Sequence, residues 1–270
     1  MDYYKISITA PTQKQEIIIA ILAELGYEGF EQEEFSLKTY RPEDNFDEPT
    51  LQQLADQLEF SYKVKLIPNQ NWNALWEANF QPIQINDFCA IRADFHPSFP
   101  DVQHEITVNP KMAFGTGHHE TTYMMMEQME QLSFKNKKVL DFGCGTGILS
   151  ILAEKLGASS THALDNDPLS FENTKENMAV NNTNNIQVQL GVLPDVQENN
   201  FDIILANINR SVILNTLSQL FQKIKKGGMI LFSGILKSDE NMLRQKLQKV
   251  GFDILNSQYK GDWICLKVQK

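Results

Sequence analysis

The chain has 270 residues, 42% hydrophobic and 21% charged, with a formal net charge of −10. This is the composition of a globular protein, with no apolar run long enough to cross a bilayer as a helix. Its acidity disfavours direct nucleic-acid binding, and the three widely spaced cysteines (Cys89, Cys144, Cys265) form neither a disulfide framework nor a metal-ligand pair.

Met1 to Lys5 has neither the basic start nor the apolar core of an export signal, so a cytoplasmic location is expected. Tyr3 to Ala10 alternates as a strand. Thr12 with Gln15 has the form of a capping box, and Gln13 to Leu25 reads as a helix closed by Gly26. Tyr27–Glu31 and Phe35–Tyr40 read as strands, Arg41–Glu48 as a polar loop, Pro49–Phe60 as a helix and Tyr62–Ile67 as a strand. The order βαββαβ is the ferredoxin-like, split βαβ pattern, expected over residues 1–67. Residues 1–60 hold 13 Asp and Glu against 4 Lys and Arg, whereas the rest holds 21 against 20. Nearly all the excess charge therefore lies in a segment with no chemical motif, which reads as a recognition module for a basic partner. Solubility alone would also account for such acidity.

Residues 68–82 read as a linker helix, with Trp72 and Trp76 at helical spacing and Pro82 as its stop. From residue 83 onward a second domain is expected. Ile83–Ile85, Phe88–Asp94 and His104–Val108 read as strands. A polar loop, Asn109 to Thr121, leads into an apolar helix, Thr122–Leu132. The methionines of that helix (Met124, Met125, Met126, Met129) suit core filling. His118-His119-Glu120 lacks metal-site spacing, so no metal is expected there; the loop reads as a cover over a site.

Val139 and Leu140 end a strand, Asp141-Phe142-Gly143-Cys144-Gly145-Thr146-Gly147 makes a tight turn, and Ile148–Leu156 continues as a helix. Such a turn presents bare backbone, with N–H groups left free at the helix start. Eighteen residues after Gly147, the next strand ends in Asp165, where a ribose would be read. The spacing Asp-x-Gly-x-Gly-x-Gly differs from the Gly-x-Gly-x-x-Gly of dinucleotide enzymes and resembles motif I of S-adenosylmethionine-dependent methyltransferases. Asp167-Pro168 starts a helix to Asn181, and Ile186–Gln189 is a strand followed by the turn Gly191–Asp195. Phe201–Ala206 reads as a buried parallel strand ending at Asn207. Val212–Ile224 is a helix closed by Lys225–Gly228. Met229–Ser233 is a strand, Asp239–Val250 a helix, and Asp253–Tyr259 with Trp263–Val268 a terminal strand pair. Alternation of this kind makes a doubly wound α/β sheet of seven strands. Asn207 could accept a hydrogen from an attacking amine through its amide oxygen, or could serve simply as a satisfied turn asparagine.

Four stretches together resemble one family: Asn71 to Trp76, Ala113 to His118, Asp141 to Gly147 and Ala206-Asn207-Ile208. They look like the PrmA family, bacterial methyltransferases of large-subunit ribosomal protein number eleven. The resemblance covers the whole chain. It implies S-adenosylmethionine as cofactor and trimethylation of lysine ε-amines and an N-terminal α-amine on a basic ribosomal protein, free or before assembly. It implies cofactor contacts from Thr122, Gly143, Asp165 and Asn207; Gly145 of the same turn is expected to join them, Asn207 is taken as the catalytic residue at the amine, and a monomer is expected. Many relatives carry other residues at His119 and Glu120. The Ala206–Asn209 corner lacks the Pro-Pro of enzymes that methylate bases or glutamine amides. Rival readings are methylation of a small molecule or nucleic acid, a nicotinamide-dependent oxidoreductase, and a silent cofactor-binding module. Phe114 or Trp263 could face the methylated cation.

Overall fold

A computed structural model describes residues 2–67, 81–109 and 117–270. The linker helix expected within 68–82 and most of the loop before His118 lie outside these. The chain divides into two compact units, Met1–Ala78 and Asn79–Lys270. Among the described residues no helix is long and apolar enough to cross a membrane.

In the first unit β1 (Tyr3–Thr9), α1 (Thr12–Glu24), β2 (Glu28–Gln32), β3 (Ser36–Pro42), α2 (Glu48–Leu58) and β4 (Ser61–Ile67) follow in sequence. The strands form an antiparallel sheet in the order β2-β3-β1-β4, which is the split βαβ arrangement. Alternation along β1 buries Ile6 and Ile8 among Ile18, Leu22 and Leu51 from the helices. Each such side chain withdrawn from water contributes roughly 1.5–3 kcal/mol.

The capping-box reading of Thr12 and Gln15 does not hold. The helix starts on Pro11, which has no N–H for a reciprocal bond, and no side chain caps it. Thr12 Oγ1 donates instead to Glu34 O at 2.9 Å, and buried Gln15 donates through Nε2 to Ala10 O and Glu33 O at 2.9 and 2.8 Å. The polar stretch before α2 holds one turn of 3-10 helix, Glu43–Asn45. Asp47 caps α2 by accepting from Thr50 N.

The second unit opens with β5 (Ile83–Ile85), β6 (Cys89–Ala93) and β7 (His104–Val108), which form a small sheet of their own. Then come α3 (Glu120–Glu130), β8 (Lys138–Phe142), α4 (Ile148–Lys155), β9 (Ser160–Asp165), α5 (Pro168–Val180), β10 (Ile186–Leu190) and β11 (Phe201–Asn207). The chain ends with α6 (Arg210–Lys223), β12 (Ile224–Leu236), α7 (Glu240–Val250), β13 (Asp253–Lys260) and β14 (Trp263–Gln269). The large sheet has the order β10-β9-β8-β11-β12-β14-β13. Its pairings are parallel up to β12, and β14 runs antiparallel to both neighbours.

The chain leaves β10 at one edge and re-enters beside β8 as β11. Strand order therefore reverses between β8 and β11, which opens a crevice beyond their carboxyl ends. Helix α6 is followed directly by β12 rather than by a glycine-closed turn. Gly227 N donates to Lys270 O at 2.7 Å and Lys270 N to Gly228 O at 3.1 Å, so the chain end converts Lys225–Gly228 into strand. The three cysteines are free thiols buried in this unit, on β6, in the turn after β8 and on β14. Burial pushes the thiols of Cys89 and Cys265 up to about 12 and that of Cys144 up as well.

Candidate active site

The site grows from the turn after β8. Gly143 has φ +79°, and a Cβ there would meet Ile208 Cγ2 at 2.2 Å. Gly147, at φ +78°, would push a Cβ to 2.7 Å from Thr174 Cγ2. Both positions need glycine, for the left-handed backbone and for the closeness of neighbouring elements. The amides of the turn itself are committed within the protein, while no side chain caps the start of α4. Gly143 N and Cys144 N both donate to Leu164 O, at 2.8 and 3.1 Å, Gly145 N to Asp165 Oδ2 at 2.9 Å and Gly147 N to Cys144 O at 2.8 Å. The end of the neighbouring strand β9 pins the turn.

Helix α5 pins it from the other side. Thr174 Oγ1 donates to Gly145 O and Asn177 Nδ2 to Thr146 O, both at 2.8 Å. Asn177 Oδ1 accepts Asn109 N at 2.7 Å, and Asn181 both accepts Thr107 N and donates to Thr107 O. The buried asparagines thus bolt the glycine turn to the end of β7. Asp167 caps α5, accepting from Leu169 N and Ser170 N, which relieves Asp165 of a capping duty.

Asp141 lies wholly buried on β8, and Ser150 Oγ donates to its Oδ2 at 2.6 Å. Loss of solvation pushes its carboxyl up to about 7 against that bond, with the nearby Asp165 charge adding to the rise. Asp165, half-buried at the end of β9, accepts Gly145 N and, through Oδ1, Asp167 N at 3.0 Å. A carboxylate has about four lone-pair positions, so two backbone bonds leave acceptor capacity. At the end of β11, Asn207 Nδ2 donates to Thr122 Oγ1 at 3.1 Å, while its Oδ1 is buried with no partner.

These ends enclose a cavity of about 760 Å³. Gly143, Gly145, Asp165 and Asn207 line it; Thr122 sits behind Asn207, and its neighbour Thr121 reaches the wall. Sequence reasoning missed much of the lining. Leu193 and Pro194 come from the turn after β10, Ile208 and Val212 from the start of α6. His119 and Trp263 close one side, their rings edge-to-face at 4.7 Å. His119 is also the cap residue of α3, its Nδ1 accepting from Thr121 N at 3.3 Å. Trp263 had surfaced only as a candidate aromatic. The apolar character of the turn Gly191–Asp195 was the one available signal for the rest.

The turn amides of Gly143, Cys144, Gly145 and Gly147 are committed within the protein, so the turn offers a ligand close backbone rather than a cradle of open N–H groups. A phosphate-free nucleoside cofactor needs only close backbone, a ribose acceptor and a polar group opposite, and Asn207 Oδ1 is an orphaned acceptor awaiting a donor. The geometry is that of the Rossmann-like methyltransferases that depend on S-adenosylmethionine.

Comparison with known proteins narrows this class. Residues 5–270 match the family model "Ribosomal protein L11 methyltransferase (PrmA)", and the chain belongs to that family. The ribosomal protein L11 methyltransferase of Porphyromonas gingivalis is 40% identical over 93% of this chain and 89% of that protein. Its counterpart in Phocaeicola vulgatus is 35% identical over 99% of each. The crystal structure of a ribosomal protein L11 methylase from Lactobacillus delbrueckii subsp. bulgaricus superposes with a TM-score of 0.65 at 34% identity, covering 71% of this chain and 99% of that one. A methyltransferase from Pyrococcus furiosus shares the fold at 17% identity, with a TM-score of 0.53.

Proposed function

We propose that this chain methylates ribosomal protein L11, transferring methyl groups from S-adenosylmethionine to lysine ε-amines and to the N-terminal α-amine, up to the trimethylated state. The names of its relatives support the substrate. The structural observation that carries the reading is Asn207, which lines the cavity together with the glycine turn, His119 and Trp263 and whose buried amide Oδ1 has no hydrogen-bond partner.

S-adenosylmethionine, when bound, supplies an electrophilic methyl group on a sulfonium sulfur. Gly143 and Gly145 offer bare backbone to its amino-acid end, and Asp165 takes the ribose hydroxyls with its remaining lone pairs. The apolar turn at Leu193 and Pro194 packs the base. Asn207 holds the incoming amine by accepting one of its hydrogens through Oδ1. Thr122 acts through Asn207, since its hydroxyl accepts Nδ2 and so fixes the orientation of the amide. Of the described residues lining the cavity only His119 and Asp165 carry acid–base side chains, and both already accept backbone N–H groups. The chain therefore supplies alignment and desolvation rather than a dedicated base. A lysine amine with a pKa of about 10.4 in water loses its proton to solvent as it enters the apolar pocket. The indole of Trp263, on the cavity wall beside His119, offers an aromatic face to the amine as it becomes a fixed cation.

The test is transfer of labelled methyl from S-adenosylmethionine to purified L11, with mass spectrometry of the product. The expected outcome is multiple methyl groups on lysines and on the N-terminus. An unlabelled L11 in the presence of folded, cofactor-binding protein would overturn the reading. Asn207→Ala should cut turnover by a hundredfold or more while leaving the KM for L11 nearly unchanged. A loss confined to KM would place Asn207 outside the reaction.

A further inference from the structure

Helix α6 runs along the cavity and past it. Val212, Thr216 and Gln219 line the wall. Lys223 continues their spacing by four more residues, so all four share one face of the helix. Lys223 is the last residue of α6 and is buried. Its Nζ donates to Val196 O and, at 3.3 Å, to Glu198 O. Burial pushes its pKa down, and no carboxylate among the described residues opposes that fall. A buried ammonium held by carbonyls alone is costly. Closing the helix is not its task, because Lys270 Nζ donates to Phe221 O and Ile224 O at 2.6 and 3.0 Å. Lys223 reaches away from its own helix, to the segment between β10 and β11.

That segment forms one wall of the cavity. Gly191, Val192, Leu193 and Pro194 line it, and Leu193–Asp195 makes a single turn of 3-10 helix. The turn closes on itself, with Val192 N donating to Asp195 Oδ2 and Asp195 N to Val192 O, both at 2.9 Å. Leu193 and Val196 are buried in one core cluster with Leu217 and Leu220 of α6. At the start of the segment Gly191 N donates to Asp165 O at 2.8 Å, which joins the wall to the ribose acceptor. At its end Gln197–Asn200 is exposed, so packing gives it little hold. There the ties are Lys223, on Val196 O and Glu198 O, and the approach of Glu198 Oε2 to His162 Nδ1 at 3.5 Å.

We propose that Lys223 is a positioning residue for the cofactor: from behind the cavity wall it sets the place of the Leu193–Pro194 turn, and with it the affinity for the adenosine half of S-adenosylmethionine. The inference rests on the cofactor assignment made above and adds the residue that holds the base wall. Lys223 works through the backbone of Val196, two residues after Pro194, and lies outside the cavity lining. It therefore acts on binding of the cofactor and not on transfer of the methyl group.

The test is calorimetry of the full chain with S-adenosylmethionine and with adenosine, alongside steady-state methylation of L11 at saturating cofactor. Lys223→Met should raise the Kd for both ligands by a common factor of about ten. The kcat and the KM for L11 should stay as they were. Lys223→Gln, shorter and uncharged, should behave in the same way and serves if the methionine variant does not fold. Lys223→Arg keeps the charge and the N–H donors and should hold both Kd values within about threefold of the parent. Lys270→Met, which strips the end of α6 of its cap, should lower the melting temperature and leave cofactor affinity intact. Unchanged Kd values in a folded Lys223→Met or Lys223→Gln overturn the assignment. So does a loss of kcat at saturating cofactor, or an equal loss of affinity in Lys270→Met. If the unaltered chain binds no S-adenosylmethionine, the cofactor assignment itself fails, and the role of Lys223 with it.

Discussion

Asp141 and Asp165 sit on adjacent strands and meet opposite environments. Asp165 keeps contact with water and two backbone donors. Replacing it by alanine removes the ribose acceptor and unpins the glycine turn, so S-adenosylmethionine should bind at least tenfold more weakly by calorimetry. Asp141 is sealed in, with its carboxyl raised to about 7. Between the unfolded value near 3.8 and that raised one, the folded protein holds a proton that the unfolded chain has lost. Its contribution to stability is thus full below pH 4, shrinks as pH rises and is gone above about 7. Asp141→Asn keeps an acceptor for Ser150 and has no proton to lose. Melting temperatures measured from pH 5 to 8 should therefore fall less steeply in Asp141→Asn than in the parent; identical slopes would contradict the assignment. Both acids were legible in the sequence because spacing from the glycines located them. Ile208 was not, since its closeness to Gly143 depends on two strands 60 residues apart arriving side by side.

Helix α5 shows what periodicity conceals. Asn173, Asn177 and Asn181 recur every four residues, a stripe that reads as a solvated face, yet Asn173 and Asn177 are almost wholly buried. Their partners in β7 and just beyond it lie 64 to 74 residues away, and nothing local announces them. Asn177→Ala would remove the acceptor of Asn109 N–H and a donor to Thr146 C=O, at a cost of about 1–3 kcal/mol in all. For a unit of this size, at about 2–4 °C per kcal/mol, that corresponds to a melting temperature lower by roughly 2–12 °C. Cofactor affinity should drop with it, because Thr146 belongs to the turn. A thermal scan with and without S-adenosylmethionine checks both. The end of α6 was misjudged for the same kind of reason: Lys225–Gly228 has the composition of a helix stop, and only pairing with Lys270 makes it strand.

On the scale of the whole chain, alternating apolar strands and helical stretches made the doubly wound sheet legible, and the acidic bias set the first unit apart. Alternation in strands of three to five residues does not say which sheet they join, so the separate sheet of β5, β6 and β7 was out of reach. A recognition role for the first unit, with its excess of 13 acidic over 4 basic residues in positions 1–60, predicts that substrate capture depends on salt. The KM for L11 should rise steadily between 50 and 500 mM salt while cofactor affinity changes little. A fragment of residues 79–270 contains every described residue that lines the cavity. It should bind S-adenosylmethionine near normally and lose most of its rate on intact L11.

The placement of the thiols has a practical corollary. All three cysteines lie in the second unit, at 0%, 7% and 1% exposure for Cys89, Cys144 and Cys265, and burial holds them protonated. An alkylating reagent at neutral pH is therefore a stopwatch for that unit: it marks each thiol only when the surrounding structure opens. The first unit can melt without being seen. Cys144, in the glycine turn, should be timed separately from Cys265 on β14. Added cofactor should slow its marking more than that of Cys265, which would turn one reagent into a clock for the site and a clock for the sheet.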